Sequence, residues 1–206
     1  MKELIQKVNK KTRGVINPSN CADVASIPLA AWGSNRLDTW GGIAAAGIAF
    51  TVDWWDGPLA RQLGTVSPLG EKVDAVSDKI RLGYTLVRLV ENDVRHSKPM
   101  VPRSLLAGVG IQNLLNTGIT IAERSVNRDN PQIHSSWAGK RAIFAQQWGI
   151  ATHIIAAKLE SDGHTSAKSL RKAGNVLCGA GLGLGAIATG GYAHTLWQSL
   201  QRRSDG

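Results

Sequence analysis

The hydrophobic positions of this 206-residue chain are gathered into long segments that are separated by short polar ones. Residues 104–122 and 173–201 contain no Asp, Glu, Lys or Arg. Each is long enough for a bilayer-spanning helix, which needs about 20 mostly apolar residues. Four further segments are shorter or carry charge: 24–35, 38–53, 69–90 and 142–157. The pattern therefore predicts six helices, of which the one at 69–90 has basic residues at helical spacing.

The connections between these segments are polar and rich in turn-forming residues. They lie at residues 34–36, 97–99, 127–136 and 161–169. Alternating β-branched runs bounded by paired turns, which would indicate strands, are nearly absent. We therefore expect an all-α fold, an integral membrane bundle of about six transmembrane helices. The expected organisation is a single domain over residues 1–206, with residues 1–16 as a basic leader.

The charge balance changes this picture only slightly. The chain has 24 Lys and Arg against 15 Asp and Glu, a formal net charge of +9. These basic residues are dispersed among the loops and form no stripe interleaved with aromatic residues, so we expect no nucleic-acid partner. Attraction to anionic membrane lipids explains the charge more simply. The only two cysteines, Cys21 and Cys178, are far apart, which argues against a disulfide framework.

The first 13 residues are basic and weakly amphipathic, and the polar sequence after them lacks the apolar core of an export signal. This leader would either contact anionic headgroups or form a solvated, frayed terminus. Over six spans both termini share one side, and that side holds the larger number of Lys and Arg residues. The weak bias favours location in the cytoplasmic membrane with the functional site facing the cytoplasm.

Four carboxylates around the connection between the second and third predicted helices give the strongest chemical signal. Asp53 and Asp56 are three residues apart, and Asp74 and Asp78 are four apart, so each pair projects from one helix face. Residues 64–68 leave room for a turn that would bring the two helices antiparallel, with all four acids facing. Clustered carboxylates repel one another, and Mg²⁺ or Mn²⁺ ions prefer carboxylate oxygens. Two such ions could clamp a phosphate group during its transfer.

Each acid alone has a simpler explanation, because carboxylates are common at helix ends. Their neighbours strengthen the functional interpretation. Gly57 and Gly70 lie where a side chain would obstruct a ligand or a neighbouring helix, and Arg61 is a natural partner for a phosphate group. All these residues together are hard to explain as helix ends.

The spacing D-x2-D-G-x2-A-R-x8-G-x3-D-x3-D resembles the signature of the CDP-alcohol phosphatidyltransferases. Every position of it is met, by Asp53, Asp56, Gly57, Ala60, Arg61, Gly70, Asp74 and Asp78. The resemblance implies transfer of a phosphatidyl group from CDP-diacylglycerol to a small alcohol acceptor, with release of CMP. It implies that Asp53, Asp56 and Asp74 hold two Mg²⁺ or Mn²⁺ ions. Asp78 would be the general base and a further metal ligand, and Gly57, Ala60, Arg61 and Gly70 would line the nucleotide pocket.

Within this family the run from Asp53 to Arg61 is similar to the phosphatidylglycerophosphate synthases, which makes glycerol 3-phosphate the first-choice acceptor. Those synthases tend to carry Arg at positions that Asp23 and Asn116 occupy here, which leaves inositol phosphate or serine open as acceptors. Four basic residues could bind an acceptor phosphate or could form an ordinary positive loop: Arg124, Arg128, Lys140 and Arg141.

Two further possibilities remain open at the level of sequence. The mean hydropathy of −0.11 and the charged third helix also fit a non-catalytic basic helical membrane protein. The glycines of the run 179–185 form small-xxx-small pairs, Gly179 with Gly183 and Gly181 with Gly185. Such pairs favour close packing of helices in lipid or a homodimer interface over a dinucleotide-binding loop, because no strand precedes them.

Overall fold

A computed structural model describes residues 2–12, 16–95, 98–127 and 136–204 of the chain. Within the helices, the side chains of nine residues lie outside this description: Asp53, Asp56, Pro68, Leu69, Glu71, Lys72, Ala75, Arg203 and Ser204. The described ranges are helical with connecting turns and contain no strand, which confirms the all-α prediction.

Seven helices lie in the described ranges: α1 (Lys2–Lys11), α2 (Pro18–Ser34), α3 (Trp40–Leu63), α4 (Pro68–Arg95), α5 (Arg103–Val126), α6 (Trp137–Ser161) and α7 (Ala167–Ser204). The six predicted segments correspond in order to α2–α7. The seventh helix, α1, lies in the basic leader, where no helix was expected. The predicted break at 127–136 lies mostly outside the described residues.

The chain divides into two compact units, Met1–Ser97 and Lys98–Gly206. In the first unit α2 packs against both α3 and α4. The crossing of α2 and α3 is close, because a β-carbon built on Gly33 would lie 2.5 Å from the Ala46 amide nitrogen. Between α2 and α4, the buried hydroxyls of Ser34 and Thr85 share a hydrogen bond of 2.8 Å. Helix α1 is joined to the end of α3 by the Gln6 side chain, which donates to the Leu63 carbonyl at 2.9 Å.

In the second unit α7 packs against α5 and α6. Its glycines divide into two sets. A β-carbon on Gly181 would lie 2.8 Å from Gln146 Cγ of α6, and one on Gly185 would lie 2.1 Å from Gln112 Oε1 of α5, whereas Gly179 and Gly183 have nothing within 4 Å. Close helix packing is therefore confirmed for the pair Gly181 and Gly185.

Two of the described helices are long and apolar enough to cross a membrane, Arg103–Val126 and Ala167–Arg202. They contain the two segments that the sequence alone marked as uncharged. Only 11% of the most apolar window of the first and 22% of that of the second is buried. Apolar surface left exposed on such helices suits contact with lipid. A bundle of six spans stays a prediction.

Candidate functional site

The C-terminal half of α3 carries the first part of the acidic motif. The helix continues through Pro58 and ends at Leu63, and the C-cap residue Gly64 has a left-handed φ of 67°. The Thr65 amide donates to the Ala60 carbonyl at 2.9 Å, and the Gly64 amide donates to the Arg61 carbonyl at 3.2 Å. This pair of bonds is a Schellman motif, which ends a helix sharply and favours glycine at the left-handed position. Gly64 therefore fixes where the chain turns after Arg61.

Helix α4 begins four residues later and carries the second part of the motif. The Ser67 hydroxyl accepts a hydrogen bond of 3.0 Å from the Gly70 amide, as an N-cap does, and Pro68 is the first helical residue. Residues 64–67 form the predicted turn. Asp74 and Asp78 follow on the next two turns of α4, and both side chains are half-buried.

The structure leaves the predicted convergence of four carboxylates untested. The backbones of Asp53 and Asp56 lie in α3 one turn apart, but their side chains lie outside the described residues. Among the side chains that are described, no group of three His, Cys, Asp or Glu residues could hold a metal ion. That search includes the side chains of Asp74 and Asp78 but not those of Asp53 and Asp56, the two other predicted metal ligands.

Asp78 has a defined partner. Its carboxylate accepts a hydrogen bond from Arg81, one turn further along α4. The Arg81 side chain is completely buried, whereas that of Asp78 is 37% exposed. Arg81 also donates to Ser26 Oγ of α2 at 2.6 Å and to the Ala49 carbonyl of α3 at 3.2 Å. One guanidinium therefore links the acid to all three helices of the motif region.

A polar face of α2 also belongs to this region, and sequence reasoning missed it. Asn17 caps α2 by accepting the Asn20 amide at 2.9 Å. Asn20, Asp23 and Ser26 are at most 5% exposed and follow at three-residue spacing along α2. Polar residues three apart on an apolar helix share one face, and that spacing was the available signal.

The nucleotide-pocket candidates divide between the two helices. The guanidinium of the exposed Arg61 lies beside Gly57, 3.5 Å from where a β-carbon would stand. Gly70 faces α2, since a β-carbon on it would lie 3.1 Å from Asn20 Oδ1. Ala60 is half-buried. Gly57, Ala60 and Arg61 lie within two turns of α3, whereas Gly70 lies at the N-terminus of α4.

The basic residues proposed for an acceptor phosphate lie in the second unit. Arg124, Lys140 and Arg141 are exposed there, while Arg128 lies outside the described residues. The Arg141 guanidinium stacks over Trp137, 4.0 Å from the ring centroid. This stacking contact does not test phosphate binding, so the structure leaves both interpretations of these residues open.

Comparison with known proteins agrees with the motif. The family model described as CDP-alcohol phosphatidyltransferase matches residues 20–186. A curated relative from rice, Oryza sativa subsp. japonica, is named CDP-diacylglycerol--glycerol-3-phosphate 3-phosphatidyltransferase 1, chloroplastic. It is 30% identical over 105 residues, which are 50% of this chain and 29% of the relative. The match thus spans less than a third of that relative's length. No solved structure matches the chain.

Proposed function

The chain belongs to the CDP-alcohol phosphatidyltransferase family, and we propose that it transfers a phosphatidyl group from CDP-diacylglycerol to glycerol 3-phosphate, with release of CMP. The observation that carries the proposal is the complete motif, from Asp53 to Asp78, on two consecutive helices joined by a four-residue turn. The whole motif lies within the matched residues 20–186. The name of the rice relative supports the choice of glycerol 3-phosphate.

The donor chemistry of the motif fits divalent metal ions. The only candidate ligands are carboxylates, which are hard oxygen donors of the kind that Mg²⁺ and Mn²⁺ prefer. Asp74 and Asp78 lie one turn apart on α4, and Asp78 is 37% exposed, so its carboxylate can be reached from outside the helix packing. We propose that Asp53, Asp56, Asp74 and Asp78 hold two ions. When bound, such ions would neutralise the negative charge that gathers on the diphosphate during transfer.

The protein's own groups supply the remaining steps. Asp78 would accept the proton of the acceptor hydroxyl as that oxygen attacks the phosphorus on the lipid side of the donor, while the bond to CMP breaks. Arg61 would bind a phosphate of the nucleotide, because a guanidinium can bind two phosphate oxygens at once. Gly57, Ala60 and Gly70 would keep the pocket wide enough for the nucleotide to approach the backbone.

The proposed setting is the cytoplasmic membrane. The family and the two apolar helices support a membrane location. Six spans, a site that faces the cytoplasm and a homodimer are parts of the proposal that rest on the sequence pattern. The exposed glycines Gly179 and Gly183 leave one side of α7 open for a second helix or for lipid.

The test is an assay of the full chain purified in detergent with CDP-diacylglycerol. We expect CMP release that requires both Mn²⁺ or Mg²⁺ and glycerol 3-phosphate, and that stops when EDTA is added. Parallel reactions with inositol phosphate and with serine identify the acceptor. If a phospholipid product forms only with inositol phosphate or only with serine, that alcohol replaces glycerol 3-phosphate as the proposed acceptor, and the proposed transfer from CDP-diacylglycerol stands. No CMP release with any acceptor, from folded protein with metal present, would support the non-catalytic alternative.

A further inference from the structure

Arg81 is an unusual residue at its position in the fold. Its side chain is 0% exposed, in the interior of α4 where it packs against α2. A buried guanidinium is expensive to desolvate, and apolar residues of similar volume often serve stability as well or better. Stability alone therefore gives little reason for an arginine here, and its partners indicate another reason.

Those partners lie on three different helices. Arg81 donates to Asp78 on its own helix, to Ser26 Oγ on α2 at 2.6 Å and to the Ala49 carbonyl on α3 at 3.2 Å. The Ser26 hydroxyl in turn donates to the Asp23 carbonyl at 2.6 Å, so it is held in the orientation that accepts from Arg81. The planar guanidinium of arginine, with its five N–H donors, can donate hydrogen bonds to acceptors on three helices at once.

We propose that Arg81 is a positioning residue, which holds the carboxylate of Asp78 by one oxygen and fixes it relative to α2 and α3. The proposal rests on the function proposed above, in which Asp78 accepts a proton and binds metal. Arg81 donates to Oδ1 of Asp78, and among the described side chains no other hydrogen bond or ion pair reaches that carboxylate. The second oxygen is thus left for the acceptor hydroxyl or a metal ion, with its position set by a buried anchor.

The chain contains a matched control two turns further along α4. Arg88 pairs with Glu91 at the same three-residue spacing, but the Arg88 side chain is 27% exposed and the pair lies outside the motif. Arg81→Met and Arg88→Met each remove one guanidinium and keep a long flexible side chain. Because Asp78 is partly exposed, water can solvate it in Arg81→Met, and we expect both variants to fold.

The first measurement separates turnover from substrate binding. In Arg81→Met we expect kcat to fall by about 100-fold, the effect of roughly 1 Å of misplacement of a reacting group, with little change in KM for CDP-diacylglycerol. Arg81→Lys should recover part of the loss in kcat, because lysine restores the positive charge but not the planar set of guanidinium donors. Arg88→Met should keep the wild-type kcat. Wild-type kcat in Arg81→Met, or equal losses in Arg81→Met and Arg88→Met, would overturn the proposal.

The second measurement needs no activity. Thermal unfolding midpoints are compared in metal-free buffer for Arg81→Met, Asp78→Asn and the double variant. We expect the double variant to be more stable than the sum of the two single losses predicts, because each single change removes the same interaction. Additive losses would overturn the link between Arg81 and Asp78. An inactive wild-type protein would overturn only the proposed function, so the two failures can be told apart.

Discussion

Asn20 and Gly70 approach each other so closely that a β-carbon on Gly70 would lie 3.1 Å from Asn20 Oδ1. Asn20 belongs to the first turn of α2, and Gly70 to the first turn of α4. Since Ser67 Oγ would lie 3.2 Å from the same β-carbon, the glycine is confined by both its own N-cap and the neighbouring helix. The two helix N-termini meet at this contact, one of them carrying the buried polar residues of α2 and the other carrying Asp74 and Asp78.

Gly70→Ala is expected to lower kcat/KM for CDP-diacylglycerol by about 10-fold or more. The added methyl group must displace Asn20 or the Ser67 cap by a few tenths of an ångström, and displacement of groups beside a reacting centre lowers turnover. The measurement is CMP release at varied donor concentration.

Gly83→Ala is the control for this change, since Gly83 is also in α4 but has nothing within 4 Å of its β-carbon position. Replacing an exposed helical glycine with alanine stabilises a helix by about 0.5–1 kcal/mol. Gly83→Ala should therefore raise the unfolding midpoint and keep full activity. Equal kinetics in Gly70→Ala and Gly83→Ala would contradict a role for Gly70 in the pocket.

Asp78→Asn is expected to abolish CMP release while the protein still folds. The amide keeps the size of the side chain but can neither accept the acceptor's proton nor carry the charge that binds a divalent ion. The exposed Asp38, which lies between α2 and α3, serves as the control, and Asp38→Asn should keep wild-type activity. Turnover by folded Asp78→Asn at the wild-type rate would remove this residue from the mechanism.

The two charge-free segments predicted α5 and α7 well, because an uncharged segment of bilayer length has few alternatives to a helix. The sequence placed the start of α2 poorly. The predicted segment begins at residue 24, whereas α2 begins at Pro18 and buries Asp23 to 1% exposure. Burial of a carboxylate depends on neighbouring helices, and the periodicity of one helix contains no information about them.

The site shows the same division between local and non-local information. The i,i+3 and i,i+4 spacing of the acids and the turn at 64–67 follow from local rules, and the sequence predicted both. The spacing of Asn20 and Ser26 indicates a polar face of α2, but their contacts with Gly70 and Arg81 depend on how α2 packs against α4. Arg81 was recognised only as one of several basic residues at helical spacing, since its burial and its partners on α2 and α3 exist only in the folded unit.

The two glycine sets of α7 lead to a prediction about stability. Gly181→Ala would put a methyl group 2.8 Å from Gln146 Cγ and 2.9 Å from the Gln146 amide nitrogen, so α6 and α7 would have to separate. Overpacking of this kind costs about 1–3 kcal/mol. Gly183→Ala, two residues away on the same helix, meets open space and should leave the unfolding midpoint unchanged or raise it. Similar midpoints for the two variants in detergent would show that α7 does not pack closely against α6 through Gly181.

A cluster of charges at the connection between α6 and α7 should make stability depend on pH. Glu160, in the last turn of α6, is hydrogen-bonded by Lys98 and by Arg171, whose Nη2 lies 2.9 Å from its Oε2. These two hydrogen bonds, Lys98 first, lower the pKa of Glu160 below its usual value near 4.5. Arg171 also donates to the Met100 carbonyl at 3.1 Å, which joins the cluster to the segment before α5.

The pKa of Glu160 is lower in the folded state than in the unfolded state. Its ion pairs therefore stabilise the fold fully at pH values above the unfolded-state pKa, and this stabilisation is lost as the pH falls through the folded-state pKa. Glu160→Gln should therefore lower the unfolding midpoint at pH 7, and the difference from wild type should vanish in strongly acidic buffer. Because the carboxylate is exposed, salt should also reduce the difference at pH 7. A loss in Glu160→Gln that is equal at both pH values would mean that the ion pairs do not stabilise the fold.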